Sequence, residues 1–347
     1  LRNIAIGAFA MKDTDAGSTS KASDDCIFIG YGSGRGDWAN QDCSNIVAIG
    51  SLALAGALEG NTTDGTIAIG KEALTTLTSG EGNTAIGFES MIYQTDGGKN
   101  TTLGYKAFRT ADNGESDNVV IGYEAGVSNN HASTDFNVFI GSQASVGGTG
   151  ARTNSVAIGY RAWGDGGSAN NIGGAENVFI GSLSGEGTWE TAACDGNTAV
   201  GYQTMAGAMN GATHNVAVGF EALKSLTTGD DNTAMGRGAA DALTTGVKNV
   251  ALGSLALSSA QDCDSVIAIG YAASNANLQA TGDGSIAIGH AALNNHSSNL
   301  NIAIGFQAGK YVTSGGANTA LGYNSLGGNV TTNLTGNYNT VIGHQAG

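Results

Sequence analysis

Asn301-Ile302-Ala303-Ile304-Gly305-Phe306-Gln307-Ala308 decides how this chain folds, because close relatives of that octet recur from one end to the other. Fixed-period self-similarity is the signature of a repeat architecture. Anchored on the glycine that ends the strand-like run, 19 copies can be counted, from Gly7, Gly30 and Gly50 through Gly305, Gly322 and Gly343. The commonest spacing is 17 residues, the tightest is 16 (Gly289 to Gly305) and the longest is 23 (Gly7 to Gly30). Each such unit touches only its neighbours, so the array is expected to form one body over residues 1–347, not the two or three globular domains that length alone suggests.

Three residues before the anchor, every copy has Ile, Val or Thr, and one residue before it every copy has Ile, Leu, Val or Met. Branching at Cβ suits a pleated strand. Both positions fall on one side of a strand, and they are expected to be the buried ladder. The residue between them is mostly Ala (Ala48, Ala68, Ala85, Ala157, Ala217, Ala303), with Phe28, Phe139, Phe179, Val120 and Val341 as replacements. A run apolar on both faces reads as a strand buried on both faces. The alanines are therefore expected to form the inter-chain packing surface, where a second copy approaches closely. Three residues after the anchor only Ala, Ser or Thr occurs, which marks a tight place. Four residues before it, Asn recurs (Asn83, Asn100, Asn118, Asn215, Asn232, Asn301). Asn suits turns, and stacked copies can form amide ladders. The anchor glycine suits a corner that needs positive φ or close backbone approach.

The fold expected is all-β: a parallel β-solenoid of about 19 coils, each coil holding two short strands and two turns. At about 4.8 Å per coil it would extend roughly 90 Å. There is no Pro among 347 residues, in keeping with coils that need nearly every N–H for a neighbour. Net charge is −15, with 14 basic residues, which argues against nucleic acid and against an anionic membrane surface. No apolar run reaches the length of a membrane helix, so no membrane insertion is expected. Both ends lie inside a copy, as in a fragment of a longer array. Cys26, Cys43, Cys194 and Cys263 include no C-x-x-C pair. They are expected to be free thiols packed along the coils, with Cys26 and Cys43 the pair to test for a disulfide. No metal or cofactor site is expected.

Asn83-Thr84-Ala85-Ile86-Gly87, Ser155-Val156-Ala157-Ile158-Gly159-Tyr160-Arg161-Ala162 and Asn215-Val216-Ala217-Val218-Gly219-Phe220-Glu221-Ala222 resemble the head repeat of trimeric autotransporter adhesins, the YadA-like head. Similar repeats occur in phage tail fibres and long surface fibres. The resemblance covers essentially the whole chain. It implies a left-handed β-roll, a homotrimer around one axis, and attachment to a host or other surface. The coils here are longer than the compact adhesin repeat, and no neck or stalk heptads follow, which favours the tail-fibre reading.

Candidate contacts come from the places where loops escape the repeat, since loops on a rigid scaffold carry binding. They are Arg35, Asp37 and Trp38 in one loop, and Trp163 and Trp189 in others. An aromatic residue follows many anchors (Tyr31, Phe88, Tyr105, Tyr123, Tyr160, Tyr202, Phe220, Tyr271, Phe306, Tyr323). This row reads as a stacking ladder in preference to a sugar platform, because Ser142 and Lys71 replace the ring without breaking the pattern. Glu186 with Glu190, or Asp230 with Asp231, could be offered as acid/base pairs, yet they sit among turn signals and no catalytic residue is assigned. The five histidines show no ligand spacing. The function expected is a non-enzymatic attachment fibre of an extracellular kind, on a virion tail or cell surface, whose partners are its own copies and a host cell-surface glycan or protein. The alternative is a bacterial surface adhesin or filament subunit. A polysaccharide-degrading tailspike and an ice-binding Thr array rank below both.

Overall fold

The computed structural model describes residues 2–12, 24–36, 44–58, 63–112, 114–148, 150–164, 173–188, 192–276, 283–327 and 335–347. Among them there is no helix, and the chain is a parallel β-solenoid. It divides into two compact units, Leu1–Asn177 and Val178–Gly347. The first holds nine three-residue strands, from Ile4–Ile6 to Val156–Ile158, and the second ten, from Val178–Ile180 to Thr340–Ile342. Every anchor glycine directly follows one strand. Register is one-to-one between neighbouring coils: Ile67↔Thr84, Ala68↔Ala85 and Ile69↔Ile86 in the first unit, Val216↔Thr233, Ala217↔Ala234 and Val218↔Met235 in the second.

Where two strands per coil were expected, one forms, apart from a short extra pair, Arg152–Thr153 with Gly174–Ala175. The rest of each coil is turn and bend. The Leu-Thr-Thr-Gly stretches expected as return strands still bond coil to coil, as in Thr227 N–H to Thr244 O at 2.9 Å and Thr244 N–H to Gln261 O at 2.7 Å. Positive-φ residues in the preceding turn keep these stretches from a continuous strand. The turn after each anchor uses the left-handed region at two alternate positions, filled by glycine at Gly32 and Gly34 but by non-glycine residues in most coils, as in Glu72 and Leu74 (φ 60 and 50°) or Glu221 and Leu223 (φ 56 and 48°). A left-handed L-residue costs about 1–2 kcal/mol. Coil-to-coil bonds such as Leu74 N–H to Ser90 O and Leu223 N–H to Ala239 O offset that cost.

The two faces of the strand are reversed relative to the sequence expectation. Ala48, Ala68, Ala85, Ala157, Ala217 and Ala303 do not form an inter-chain seam; each is fully buried inside its own coil. The branched residues on either side are the outward ones, half-buried or exposed: Ile4, Ile6, Leu103, Met235, Ile304 and Leu321 are among the exposed apolar side chains. The reason is volume. Only the middle side chain of a three-residue strand points opposite to the other two, and in eight coils the interior is already occupied from across by a large residue four past the anchor: Leu54, Leu74, Met91, Phe108, Met205, Leu223, Leu257 and Leu293, all buried; Ala234, Ala268 and Ala303 have the smaller Ala240, Ser274 and Gly309 across. One small row fits against that large row; two rows of Ile would not.

The exceptions obey the same volume rule. Where the strand centre is Phe, the facing residue shrinks: Phe28 faces Gly34, Phe139 faces Ser145 and Phe179 faces Gly185. A Cβ on Gly185 would come within 2.5 Å of the Phe179 ring, and one on Gly34 would strike the Phe28 ring. The Ala, Ser or Thr three past the anchor is buried throughout the complete coils, from Ser33 and Ala73 to Ala308 and Ser325. The anchor itself admits only glycine. Gly219 has φ of 132°, and a Cβ there would lie 2.6 Å from the carbonyl oxygen of Gly236, the next anchor.

The expected Asn ladder forms. Asn100, Asn118 and Asn137 each donate backbone N–H and side-chain Nδ2 to the Oδ1 of the preceding Asn, at 3.0–3.1 Å. Asn215, Asn232 and Asn249 repeat the pattern in the second unit, and each Nδ2 also bonds a carbonyl of the facing turn, such as Asn232 to Gly246 O at 2.8 Å. These six Asn amides are thus paired in the buried interior, where an unpaired one would cost about 1–3 kcal/mol. Cys26, Cys194 and Cys263 are buried, and Cys263 is a free thiol; Cys43 lies outside the described residues.

The large-against-small rule makes a double-substitution test possible. Ala217→Phe alone should destabilise by about 1–3 kcal/mol through overpacking, and Leu223→Gly alone by about 2–5 kcal/mol through a cavity. The pair together, which recreates the Phe179/Gly185 arrangement, should cost clearly less than the sum in urea unfolding. Strict additivity would show that these two positions do not share one space.

Candidate interaction surface

Two surfaces run along each unit, and both are consequences of the strand. The first is the outer face of the sheet, with two parallel rows of Ile, Val, Leu, Met and Thr. A continuous apolar stripe of this kind exceeds what single chains normally leave bare. The second is the row one past the anchor. Phe88, Tyr105 and Tyr123 stack at 5.2 and 5.4 Å with their planes within about 10° of parallel. Tyr202 stacks on Phe220, and Tyr271, His290, Phe306, Tyr323 and His344 form a run of five rings at 4.9–5.3 Å. The ladder reading holds for eight of the ten aromatics, whose stacked rings cover one another's faces; among the described residues no ring stacks on Tyr31 or Tyr160. His290 and His344 belong to it, though the Tyr and Phe pattern did not single them out. Their signal was position alone.

The candidate contact residues separate. Asp37, Trp38 and Trp189 lie outside the described residues. Arg35 is exposed. Trp163 is not a loop contact: it occupies the inward position four past Gly159 and is fully buried. Its ring meets Phe139 edge-on at 6.3 Å, and the Arg152 guanidinium lies over it at 4.9 Å. Arg152 is itself buried, with Asn129 Oδ1 and the Gly147 carbonyl as partners. Counting four from the anchor would have placed Trp163 in the core; its neighbourhood of irregular sequence obscured that.

Of the carboxylates offered as acid/base pairs, Asp230 and Asp231 serve the turns between coils. Asp230 Oδ1 accepts the Thr213 N–H at 2.7 Å and the Thr213 hydroxyl at 3.0 Å, tying one coil to the previous one. Asp64, Asp135, Asp264 and Asp283 make the same kind of staple to Ser44, Ser116, Val247 and Asp264 N–H groups. Asp231 holds a left-handed turn position (φ 59°). Glu186 is half-buried, and Glu190 lies outside the described residues. Among the described residues no cluster of His, Cys, Asp or Glu could hold a metal ion, and no helix is long and apolar enough to cross a membrane. Burial pushes the Cys194 and Cys263 thiols up to about 11 and about 12, so they stay protonated and weakly nucleophilic near neutral pH.

Two open clefts lie between coils in the first unit. One, of about 360 Å³, is bordered by Ser79, Glu81, Asp96, Lys99, Ser116 and Asp117. The other, of about 320 Å³, is bordered by Phe9, Lys12, Tyr31 and Arg35. No model of a known protein family matches this chain, and no curated protein matches it significantly.

One buried group gives the solenoid a pH dependence. His296 takes an inward position held elsewhere by Leu77, Leu226 and Leu243. Its Nδ1 donates to the Leu293 carbonyl at 2.7 Å, while Nε2 has no partner among the described residues. Burial pulls its pKa down to about 4, against about 6.5 in an unfolded chain. Between those values the unfolded chain binds the proton and the folded chain does not, so stability falls as pH drops from about 6.5 to about 4, by roughly 3 kcal/mol in all, and is fully present above that window. His296→Leu should abolish this component in urea unfolding curves taken across pH 4–7. An unchanged pH slope in the variant would mean that other groups carry it.

Proposed function

We propose that this chain builds a homotrimeric attachment fibre of the kind carried on phage tails, working outside the cell and presenting its loops to a host surface. The observation that carries the reading is the outward double row of branched aliphatics. Each three-residue strand buries one Ala inward and leaves two large apolar side chains outward, as at Ile67 and Ile69 or Ile286 and Ile288. At about 25 cal/mol per Å² of apolar surface, covering such a stripe is a strong drive to association. A second copy is the occupant best matched to it, because its own stripe has the same length, spacing and chemistry. The count of three, and the role in attachment, rest on the resemblance of the octets to the YadA-like head repeat.

The fold supports a rigid spacer. Within each unit, parallel coils in one-to-one register, locked by amide ladders and carboxylate staples, hold whatever protrudes from them at fixed positions. The acidic balance of the chain, −15 overall, keeps polar flanks soluble while the apolar face is covered.

Sedimentation equilibrium of the full chain should give three times the chain mass. Ile69→Asp with Ile86→Asp places carboxylates in the covered seam, where each unpaired charge costs several kcal/mol. That variant should sediment as monomer and keep its β-type circular dichroism, since neither side chain points into the coil. A wild-type chain that is a well-folded monomer at micromolar concentration would overturn the fibre reading.

A further inference from the structure

Within the first unit the aromatic row loses a single rung, at Ser142. Backbone bonds fix the column. Gln143 N–H to Tyr123 O at 2.8 Å and Arg161 N–H to Ser142 O at 3.1 Å place Tyr123, Ser142 and Tyr160 at one position of three successive coils. Before the gap the row is filled: Phe88, Tyr105 and Tyr123 stack at 5.2 and 5.4 Å, and the Lys71 Nζ sits over the Phe88 ring at 5.5 Å. Tyr105 thus covers one face of Tyr123. Among the described residues no ring stacks on the other face of Tyr123 or on Tyr160. Both tyrosines keep about half of their surface in solvent, 51 and 50%, and Ser142 between them is exposed.

The size of the vacancy follows from the coil step. Two steps of about 4.8 Å set Tyr123 and Tyr160 roughly 10 Å apart along the row, with only the short Ser142 side chain at the rung between them. A flat ring placed there would lie roughly 5 Å from each tyrosine, the distance at which rings stack. The interruption in the second unit is different. Arg237 and Ser254 both intervene between Phe220 and Tyr271, a gap that one ring cannot bridge. The polar groups next to the single vacancy suit a ring edged with hydroxyls. Glu124 and Gln143 directly follow Tyr123 and Ser142, and the Gln143 Nε2 donates to the Glu124 Oε2 at 3.2 Å. A carboxylate has about four lone-pair positions, so this bond leaves Glu124 able to accept from further hydroxyls.

We propose that the vacant rung between Tyr123 and Tyr160 takes one pyranose ring of a neutral glycan, and that it selects a glucose-type unit whose hydroxyls are all equatorial. Such a ring shows C–H groups on both faces and its hydroxyls around the rim. The two faces meet the two tyrosines, and the rim reaches Ser142, Glu124 and Gln143. A galactose unit turns one hydroxyl onto a face of the ring. Against a tyrosine that hydroxyl loses water and gains no partner. A single aromatic platform tolerates this by meeting the other face; a slot with two walls does not. This rests on the attachment reading and narrows its ligand from a surface glycan in general to one of this ring configuration.

The test is calorimetric titration of the full chain with cellohexaose, a β-linked galactose hexamer and N-acetyltryptophanamide, with native mass and thermal midpoint measured for every variant. Cellohexaose should bind at about millimolar Kd, and the galactose hexamer about tenfold more weakly. Tyr123→Ala and Tyr160→Ala should each weaken cellohexaose about tenfold. Ser142→Tyr supplies the missing rung, so it should abolish binding while the thermal midpoint holds or rises, which separates a filled slot from a misfolded chain. Tyr338→Ala, at an exposed tyrosine off the row, should leave binding unchanged. Equal binding of the two hexamers, or full affinity in Ser142→Tyr or Tyr160→Ala, would overturn the proposal. N-acetyltryptophanamide binding that Ser142→Tyr removes, with no binding of cellohexaose, would also overturn it and assign the slot to an aromatic side chain of a protein partner. A trimer that ignores cellohexaose sinks this site and leaves the fibre standing; a monomer that binds it through Tyr123 and Tyr160 does the reverse.

Discussion

The interior of each coil is one side-chain pair thick, and most features of the chain follow from that width. A strand centre and the residue four past the anchor share one space. Where the strand centre is Phe, the residue across is Gly or Ser; where it is Ala, the residue across can be as large as Leu, Met or Trp. The same narrowness brings successive anchors so close that a Cβ on one would overlap the carbonyl of the next. It also turns the usual distribution of side chains around. The larger aliphatics of the strand go outward because the interior has no room for them, and a chain that is acidic overall acquires an apolar face.

Such a thin core cannot hold the coil by apolar burial alone. What it lacks in volume is supplied by bonds between coils. Asn amides run through the buried corner, each Oδ1 taking two donors from the next coil. Aspartates six residues before an anchor take an N–H from the coil before. These bonds are repeated at nearly every step, so the left-handed turn residues, each unfavourable by itself, are held by neighbours on both sides. A solenoid of this kind is stable as an array, because each coil is completed by the ones that flank it.

Function follows from what the coils leave outside. The doubled aliphatic rows are the face that the proposed covering copy would occupy. The stacked rings of the aromatic row stiffen an edge but hide their faces.

The repeat, the parallel strands ending at each anchor glycine, the Asn ladder, the tight Ala/Ser/Thr position and the stacking of the aromatic row were all legible in the chain alone. Each depends on a residue type recurring at one register, and stacking in register turns recurrence directly into contact. Which face of the strand points inward was not legible, because Ile-Ala-Ile is apolar on both sides and hydrophobicity cannot choose between them. Only the folded coil decides, through the volume already taken by Leu223 and its counterparts across from the strand. Trp163 went astray for the same reason: a large aromatic in irregular sequence looks like a loop contact until the space opposite Ala157 is seen to need filling. The left-handed turn residues likewise belong to the tertiary structure. They are set by what the adjoining coil places against them, which no single repeat contains.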